Sequence, residues 1–319
     1  MMNRRTFLGT SLTGLSALLL APVPWAQTTP SDSALATPGF KRVPLGQMEV
    51  IALNDGIGRR PLTDGFVRNA SLEEVKSLLA SQNLPTDYLD VPYTPFVITH
   101  GDRRYLLDTG FADNGPANSG LLHQSMKAAG IDPASITDVV LSHLHGDHIN
   151  GLRYKNGDWV YPKAKVYVSA PEYAFWTDAQ RKAQAPEGMK GAFAAVERTI
   201  GSLPKEQLVI FEPGSDIAPG IRSMPAFGHT PGHTLFIAES DGQQFAYIAD
   251  VTNVPSLFAR NPDFAVMFDM NAEQARDTRR AVLSKLAQDK TLMGGFHYPS
   301  PSIGTLVPEG QGYAFVPAR

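Results

Sequence analysis

Not one of the 319 residues is cysteine. That absence excludes a disulfide framework, a thiolate nucleophile and a lipid-modified N-terminal cysteine, and it obliges any metal site to be built from His and carboxylate. Basic character is also scarce. Lys and Arg number 28 against 31 Asp and Glu, the formal net charge is −3 and the pI is near 6.2, with no run of Lys or Arg. A phosphate backbone would meet no attracting field here, so nucleic acid is not an expected partner. A Gly-x-Ser-x-Gly nucleophile elbow is missing too, which removes the commonest serine hydrolase arrangement. What the chain does have is 43% hydrophobic residues, enough to bury a full core in one large domain or two ordinary ones.

The first 26 residues read as an address. Asn3-Arg4-Arg5-Thr6-Phe7-Leu8 precedes a soft apolar run that ends in Leu18-Leu19-Leu20-Ala21-Pro22. Paired arginines followed by Phe-Leu resemble a twin-arginine signal, a route for already folded proteins, and imply a periplasmic location with cleavage near Ala26. The run is short, carries Gly, Ser and Thr and stops at prolines, so no stable membrane insertion is expected once it is removed. Losing Arg4 and Arg5 takes the charge from −3 to −5. Residues 27–39, rich in Thr, Ser, Ala and Pro, read as a flexible leader, and the folded body is expected over 40–319.

Within the body, Ser71-Leu72-Glu73-Glu74 is a capping-box pattern that opens an amphipathic helix to about Ser81. Phe96 to Asp108 reads as two strands around Gly101-Asp102. A helix is expected from Leu121 to Ala129, stopped by Gly130, and a short strand from Ile136 to Leu141. Further strands are expected at Lys165 to Ser169, Gln207 to Phe211, Thr234 to Glu239 and Gln244 to Ile248, with helices at Pro171 to Gln184 and Asn271 to Gln288. Strands mixed with helices and hairpins favour sheets covered by helices on their outer faces, in one domain of two αβ halves.

The histidines decide the chemistry. Of eight, three fall within six residues, at His143, His145 and His148, with Asp147 among them. Alternate residues at a strand end share a side, so His143 and His145 can converge on one ion, leaving Asp147 and His148 for a second. Imidazole and carboxylate suit zinc, manganese, cobalt or iron, and two ions about 3.5–4 Å apart are a common hydrolytic arrangement. Later strand ends offer further ligands: His229 or His233 in Gly228-His229-Thr230-Pro231-Gly232-His233, then Asp250, then His297.

His143-x-His145-x-Asp147-His148, Pro231-Gly232-His233, Asp250 and His297, taken in order, resemble the ligand pattern of the metallo-β-lactamase superfamily. Within it the chain is most similar to the methyl parathion hydrolase group, with N-acyl-homoserine lactonases as nearby relatives. Supporting segments are Leu107-Asp108-Thr109-Gly110, Glu172 to Trp176 and Gly310 to Pro317. The resemblance implies an α/β fold, the αβ/βα four-layer sandwich of two mixed sheets with helices on the outer faces, and a homodimer. It implies that His143, His145 and His233 hold one ion, that Asp147, His148 and His297 hold the other, and that Asp250 bridges them, with zinc the first expectation. His229 then becomes a neighbouring group, and Asp108 the carboxylate that orients a ligand imidazole.

A water shared by two cations loses its proton near neutral pH and becomes the expected nucleophile, with Asp147 and Asp250 at the reacting centre. The expected substrate is a small molecule with a neutral ester-type bond: an organophosphate triester, a lactone or an aryl ester. An iron-dependent oxidoreductase on the same scaffold is the alternative of another class. Related lactonases carry a substrate-stabilising tyrosine three residues after the bridging Asp, where this chain has Asn253, whose amide can also donate a hydrogen bond. Phe111, Tyr173, Phe175, Trp176, Met189, Phe193, Leu257, Phe258 and Phe264 are candidates for an apolar mouth.

Overall fold

A computed structural model describes residues 37–319; the expected signal segment and residues 27–36 of the leader lie outside them. The first half supplies β1 Phe40–Leu45, β2 Met48–Leu53, β3 Gly56–Pro61, β4 Tyr88–Tyr93, β5 Phe96–His100, β6 Arg103–Leu107, β7 Asp138–Val140, β8 Lys165–Ser169 and β9 Leu208–Phe211. The second half supplies β10 Asp216–Ala218, β11 Ile221–Pro225, β12 Thr234–Ser240, β13 Gln243–Tyr247, β14 Leu292–Gly294, β15 Ile303–Glu309 and β16 Gly312–Pro317. The helices are α1 Leu72–Ala80, α2 Leu122–Ala128, α3 Gly146–Ile149, α4 Ala170–Trp176, α5 Ala179–Ala183, α6 Glu187–Thr199, α7 Pro255–Phe258 and α8 Ala272–Asp289. One seven-stranded sheet runs β1-β2-β5-β6-β7-β8-β9, a second runs β10 to β16 in sequence order, and β3 pairs with β4 in a small antiparallel sheet.

The apolar strands alternate between two cores, which is why they show little polar periodicity. On β5, Phe96 and Ile98 face the core between the sheets while Val97 faces the helices, and β6 repeats this with Tyr105 and Leu107 against Leu106. In the second sheet Phe236, Phe245 and Tyr247 enter the shared core, and Leu235 and Ala246 turn outward toward Leu283 and Leu286 of α8. The result is the four-layer sandwich, helices outside and two mixed sheets inside.

Three expectations need correction. Thr37 to Gly39, taken as leader, are tied to the body: Asn54 donates to the Thr37 carbonyl at 2.8 Å, and the Gly39 amide donates to Ser125 Oγ at 3.0 Å. The expected helix over 171–184 is two, because Asp178 turns out of helical conformation and caps α5 through the Arg181 amide. Helix α6 carries no recognisable cap signal, Pro186 occupying its N-cap, and sequence periodicity missed it. The expected cap at Ser71 is present, accepting from the Glu74 amide at 3.2 Å. Among the described residues no helix is long and apolar enough to cross a membrane.

Candidate metal centre

Strands β6 to β9 run parallel, as do β13 and β14, so their C-terminal ends open on one edge of the sandwich. The segment after β7 brings His143, His145, Asp147 and His148 there, the loop after β11 brings His229, and the turns after β13 and β14 bring Asp250 and His297. His143 Nε2 and His229 Nε2 lie 3.1 and 3.0 Å from His145 Nδ1. Asp250 Oδ1 is 3.3 Å from His148 Nε2, and its Oδ2 is 3.4 Å from His229 Nε2 and 3.2 Å from His297 Nε2. Asp147 Oδ2 is 3.6 Å from His148 Nε2 and 3.4 Å from His297 Nε2. Two groups result, joined through Asp250.

The choice of His233 over His229 is overturned by this geometry. His233 is buried with both ring nitrogens engaged by backbone: Nδ1 donates to the Ala226 carbonyl at 3.0 Å and Nε2 accepts from the Asp250 amide at 3.2 Å. It holds the Asp250 turn in place and has no lone pair to offer an ion. Burial, with neighbouring His229 next, pushes its pKa down to about 3, so the ring is neutral, as these two bonds require.

Whether ions fit can be judged from where the lone pairs point. His148 Nδ1 donates to Asp108 at 2.8 Å, His229 Nδ1 to Asp269 at 3.0 Å and His297 Nδ1 to the Pro92 carbonyl at 2.7 Å. Ser142 gives its own proton to Asp108 and so accepts from His143 Nδ1 at 3.0 Å. Each of these rings has its outer nitrogen protonated and its Nε2 lone pair aimed inward, the tautomer that ligation needs. Among the described residues His148 Nε2 and Asp250 Oδ1 are buried without any hydrogen-bond partner. Orphaned inward-facing acceptors beside carboxylates are what divalent cations satisfy. Without ions, burial lowers the His148 pKa but Asp147, Asp108 and Asp250 more than offset it, so that a proton takes the Nε2 position that an ion would displace. Burial and adjacent imidazoles keep His143 and His145 neutral.

Asp108 takes four hydrogen bonds, from the Ser142 amide and hydroxyl, His148 and the Tyr247 hydroxyl at 2.8, 2.6, 2.8 and 2.6 Å. Its left-handed φ of 57° turns the carboxylate back beneath the loop. Two carboxylates that sequence reasoning did not weigh for positioning complete the frame. Asp269 joins His229 to the fully buried Arg279 at 3.1 Å, and Arg279 donates to the Val251 carbonyl at 2.7 Å as well. Glu172 accepts from the Leu144 and Gly232 amides, Trp176 Nε1 and Thr230 Oγ1 at 2.9, 2.7, 2.8 and 2.8 Å, binding the two histidine loops together. No local pattern marked Asp269, which precedes α8 in an irregular stretch.

Of the candidate mouth residues, Trp176 lies 6.0 Å from the His145 ring, although it and Phe193 are otherwise buried in the helix-side core. Phe111 is half-buried against Tyr93, with ring centroids 4.8 Å apart. Met189 is half-buried against the helix-side core. Leu257, Phe258 and Phe264 are corrections: they are buried in the cluster under β3, β4 and α1. Asn253 is buried, its side-chain oxygen without a partner among the described residues. Asp147 is 24% exposed while Asp250 is 4%, so the centre opens to solvent on the His145–Asp147 side.

A strand-edge cluster of five histidines and two aspartates between face-packed sheets defines a metal-centred αβ/βα sandwich. The Metallo-beta-lactamase superfamily model matches residues 90–291, and the chain belongs to that superfamily. An N-acyl homoserine lactonase of a Bacillus sp is 23% identical over 176 residues, 49% of this chain and 62% of that protein, less than two thirds of its length. The N-acyl homoserine lactonase AiiA of Bacillus thuringiensis subsp. kurstaki is 23% identical over 57% of this chain and 72% of its own. Among solved structures, AidC, a dizinc quorum-quenching lactonase, superposes with a TM-score of 0.83 at 25% identity, covering 89% of this chain and 99% of that one. The hydrolase AbOPH, at 24% identity and a TM-score of 0.81 over 89% of this chain and 98% of its own, shares the fold.

Proposed function

We propose that this chain is a dinuclear metal-dependent hydrolase of neutral ester-type bonds, with lactones, aryl esters and organophosphate triesters as its substrate class. The observation that carries the reading is the pair of donor groups joined by Asp250, their lone pairs aimed inward and two of their atoms orphaned. His143, His145 and His229 would hold one ion, Asp147, His148 and His297 the other, with Asp250 shared. Zinc is the first expectation, from the ligand set and from the dizinc lactonase that the fold resembles. Ions so held supply Lewis acidity and lower the pKa of water.

The chain's own groups do the rest. Asp108, Asp269, Ser142 and the Pro92 carbonyl fix the ring angles. Asp147, the most open of the carboxylates, lies on the solvent-facing side of the centre. Trp176, beside His145, and Phe111, beside Tyr93, give apolar wall on either flank. Lactones come first among substrates because the relatives named above are lactonases. A periplasmic location and a homodimer belong to the same reading and rest on the twin-arginine pattern and the resemblance. The test is metal content together with initial rates on an acyl-homoserine lactone, methyl parathion and p-nitrophenyl acetate. Two ions per chain with removal by chelator abolishing hydrolysis is expected; hydrolysis surviving complete metal removal would sink the reading.

A further inference from the structure

A half-buried cation has no carboxylate partner among the described residues. Arg60 sits on β3, and its guanidinium carbon is 5.0 Å from the Phe66 ring centre and 5.1 Å from that of Phe268. Among the described residues its Nη2 reaches only the Met267 sulfur, at 3.6 Å, its Nη1 has no partner, and its Nε is buried with none. The nearest arginine is served differently: Arg59 is paired with Asp90 through two nitrogens at 2.7 and 2.9 Å. Leaving a half-buried guanidinium without an oxygen acceptor is unfavourable by itself, and the aromatic faces recover only part of the loss.

The neighbouring hydroxyl is unpaired as well. Tyr93, the last residue of β4, crosses β3 so that its hydroxyl rests over Gly58, 2.4 Å from where a Cβ would stand. Only glycine leaves that room. Gly58 and Arg60 are two apart on one strand and so present the same face, which brings the phenol and the guanidinium side by side. The Tyr93 hydroxyl makes no hydrogen bond within the described residues, while its ring packs 5.9 Å from His297 and 4.8 Å from Phe111. On the other side Phe268, 37% exposed, directly precedes Asp269, which holds His229. Through Tyr93 the two donors thus lie on the His297 side of the centre.

We propose that Arg60 and the Tyr93 hydroxyl form a receptor for a carbonyl oxygen that the substrate carries beside the bond to be cleaved, selecting lactones and esters that bear an acylamino group. Two convergent donors suit one carbonyl oxygen, which offers two lone pairs. The apolar faces of Phe66 and Phe268 continue the surface for an acyl chain. This rests on the hydrolase reading above and adds to it which substrates that centre prefers.

The experiment compares two lactones of equal chain length, N-hexanoyl-homoserine lactone and an alkyl γ-lactone without the amide, on the metal-loaded wild type, Arg60→Met and Arg60→Lys. Wild type should favour the acylamino lactone, and Arg60→Met should cut that preference about 10- to 100-fold, chiefly through KM, as loss of a charge-assisted hydrogen bond implies. Arg60→Lys should recover part of it, and metal content should match wild type in both. A preference equal in wild type and Arg60→Met, or absent from wild type, overturns the proposal. A second arm titrates ring-opened N-hexanoyl-homoserine calorimetrically, with a Kd raised by a similar factor in Arg60→Met expected. If wild type opened neither lactone, the lactone reading would fall while this arm still decided: an unchanged Kd would overturn the receptor.

Discussion

Replacing Asp269 separates positioning of a metal ligand from stability of the fold, because the one carboxylate serves both. Asp269→Ala removes the partner of a fully buried arginine, and breaking a buried pair from one side costs about 3–5 kcal/mol. Arg279 keeps carbonyl acceptors at Val251, Pro262 and Phe264, which places the loss near the lower end, about 3 kcal/mol, or roughly 5–10 °C in Tm for a domain of this size. Asp269→Asn fills the same space with one acceptor instead of two. Arg279, being charged, should claim the amide oxygen, turning the NH2 toward His229 Nδ1. That ring must then accept at Nδ1 and carry its proton on Nε2, facing the centre with no lone pair. Asp269→Asn should therefore melt within a few degrees of wild type as the metal-free protein, yet bind one of its two ions about 10- to 100-fold more weakly. Chelator competition gives the affinities and calorimetry of the metal-free forms gives the Tm. Two ions bound by Asp269→Asn at wild-type affinity would refute the tautomer argument.

His229→Ala should lose one ion and reduce hydrolysis by more than about 100-fold with little change in metal-free stability, whereas His233→Ala should cost about 2–4 kcal/mol through lost packing and two unpaired backbone groups; the opposite order in metal content, read by atomic emission, would restore His233 as ligand. Asp250→Ala should release both ions in part and remove nearly all hydrolysis, and near-wild-type turnover would contradict a shared carboxylate. Asp55, buried and bonded to the Phe111 and Leu122 amides at 3.0 Å each, has its pKa raised by burial to about 7. Its folded value exceeds the unfolded one of about 3.9, so between these pH values the folded state keeps a proton that the unfolded chain has lost. Stability must fall as pH rises through that window, by about 1.4 kcal/mol per unit. Urea unfolding of the metal-free protein from pH 4.5 to 7.5 should show that slope reduced in Asp55→Asn; identical slopes would refute it.

The metal-binding edge was legible because chemistry there is concentrated in sequence: four ligand-type residues in six positions need no tertiary knowledge to be noticed. Choosing between His229 and His233 was not legible. Both follow the same loop, four residues apart, and what separates them is whether Ala226 and the Asp250 amide reach the ring, a contact made across the second sheet. The Asp269–Arg279 link was invisible for a related reason, since nine residues and a helix cap intervene between partners that meet only in the core. Leu257 and Phe258 read as mouth residues because composition cannot tell an apolar wall from an apolar interior. Strands β5 and β6 were recognisable from the Gly101 turn between them, and α1 from its cap, whereas α6 offered an N-cap proline and an amphipathic pattern too mixed to stand out. Arg60 carried no signal at all, for an arginine on a hairpin is ordinarily solvated, and only the fold brings Phe66, Phe268 and the crossing Tyr93 to it.

The most direct measurement is equilibrium dialysis of the purified protein against zinc, with metal per chain and lactone hydrolysis followed on the same samples. Two ions per chain, with hydrolysis rising only as the second site fills, is the predicted result. A plateau at one ion with full activity, or two ions with no hydrolysis of lactone, aryl ester or phosphotriester, would contradict the account.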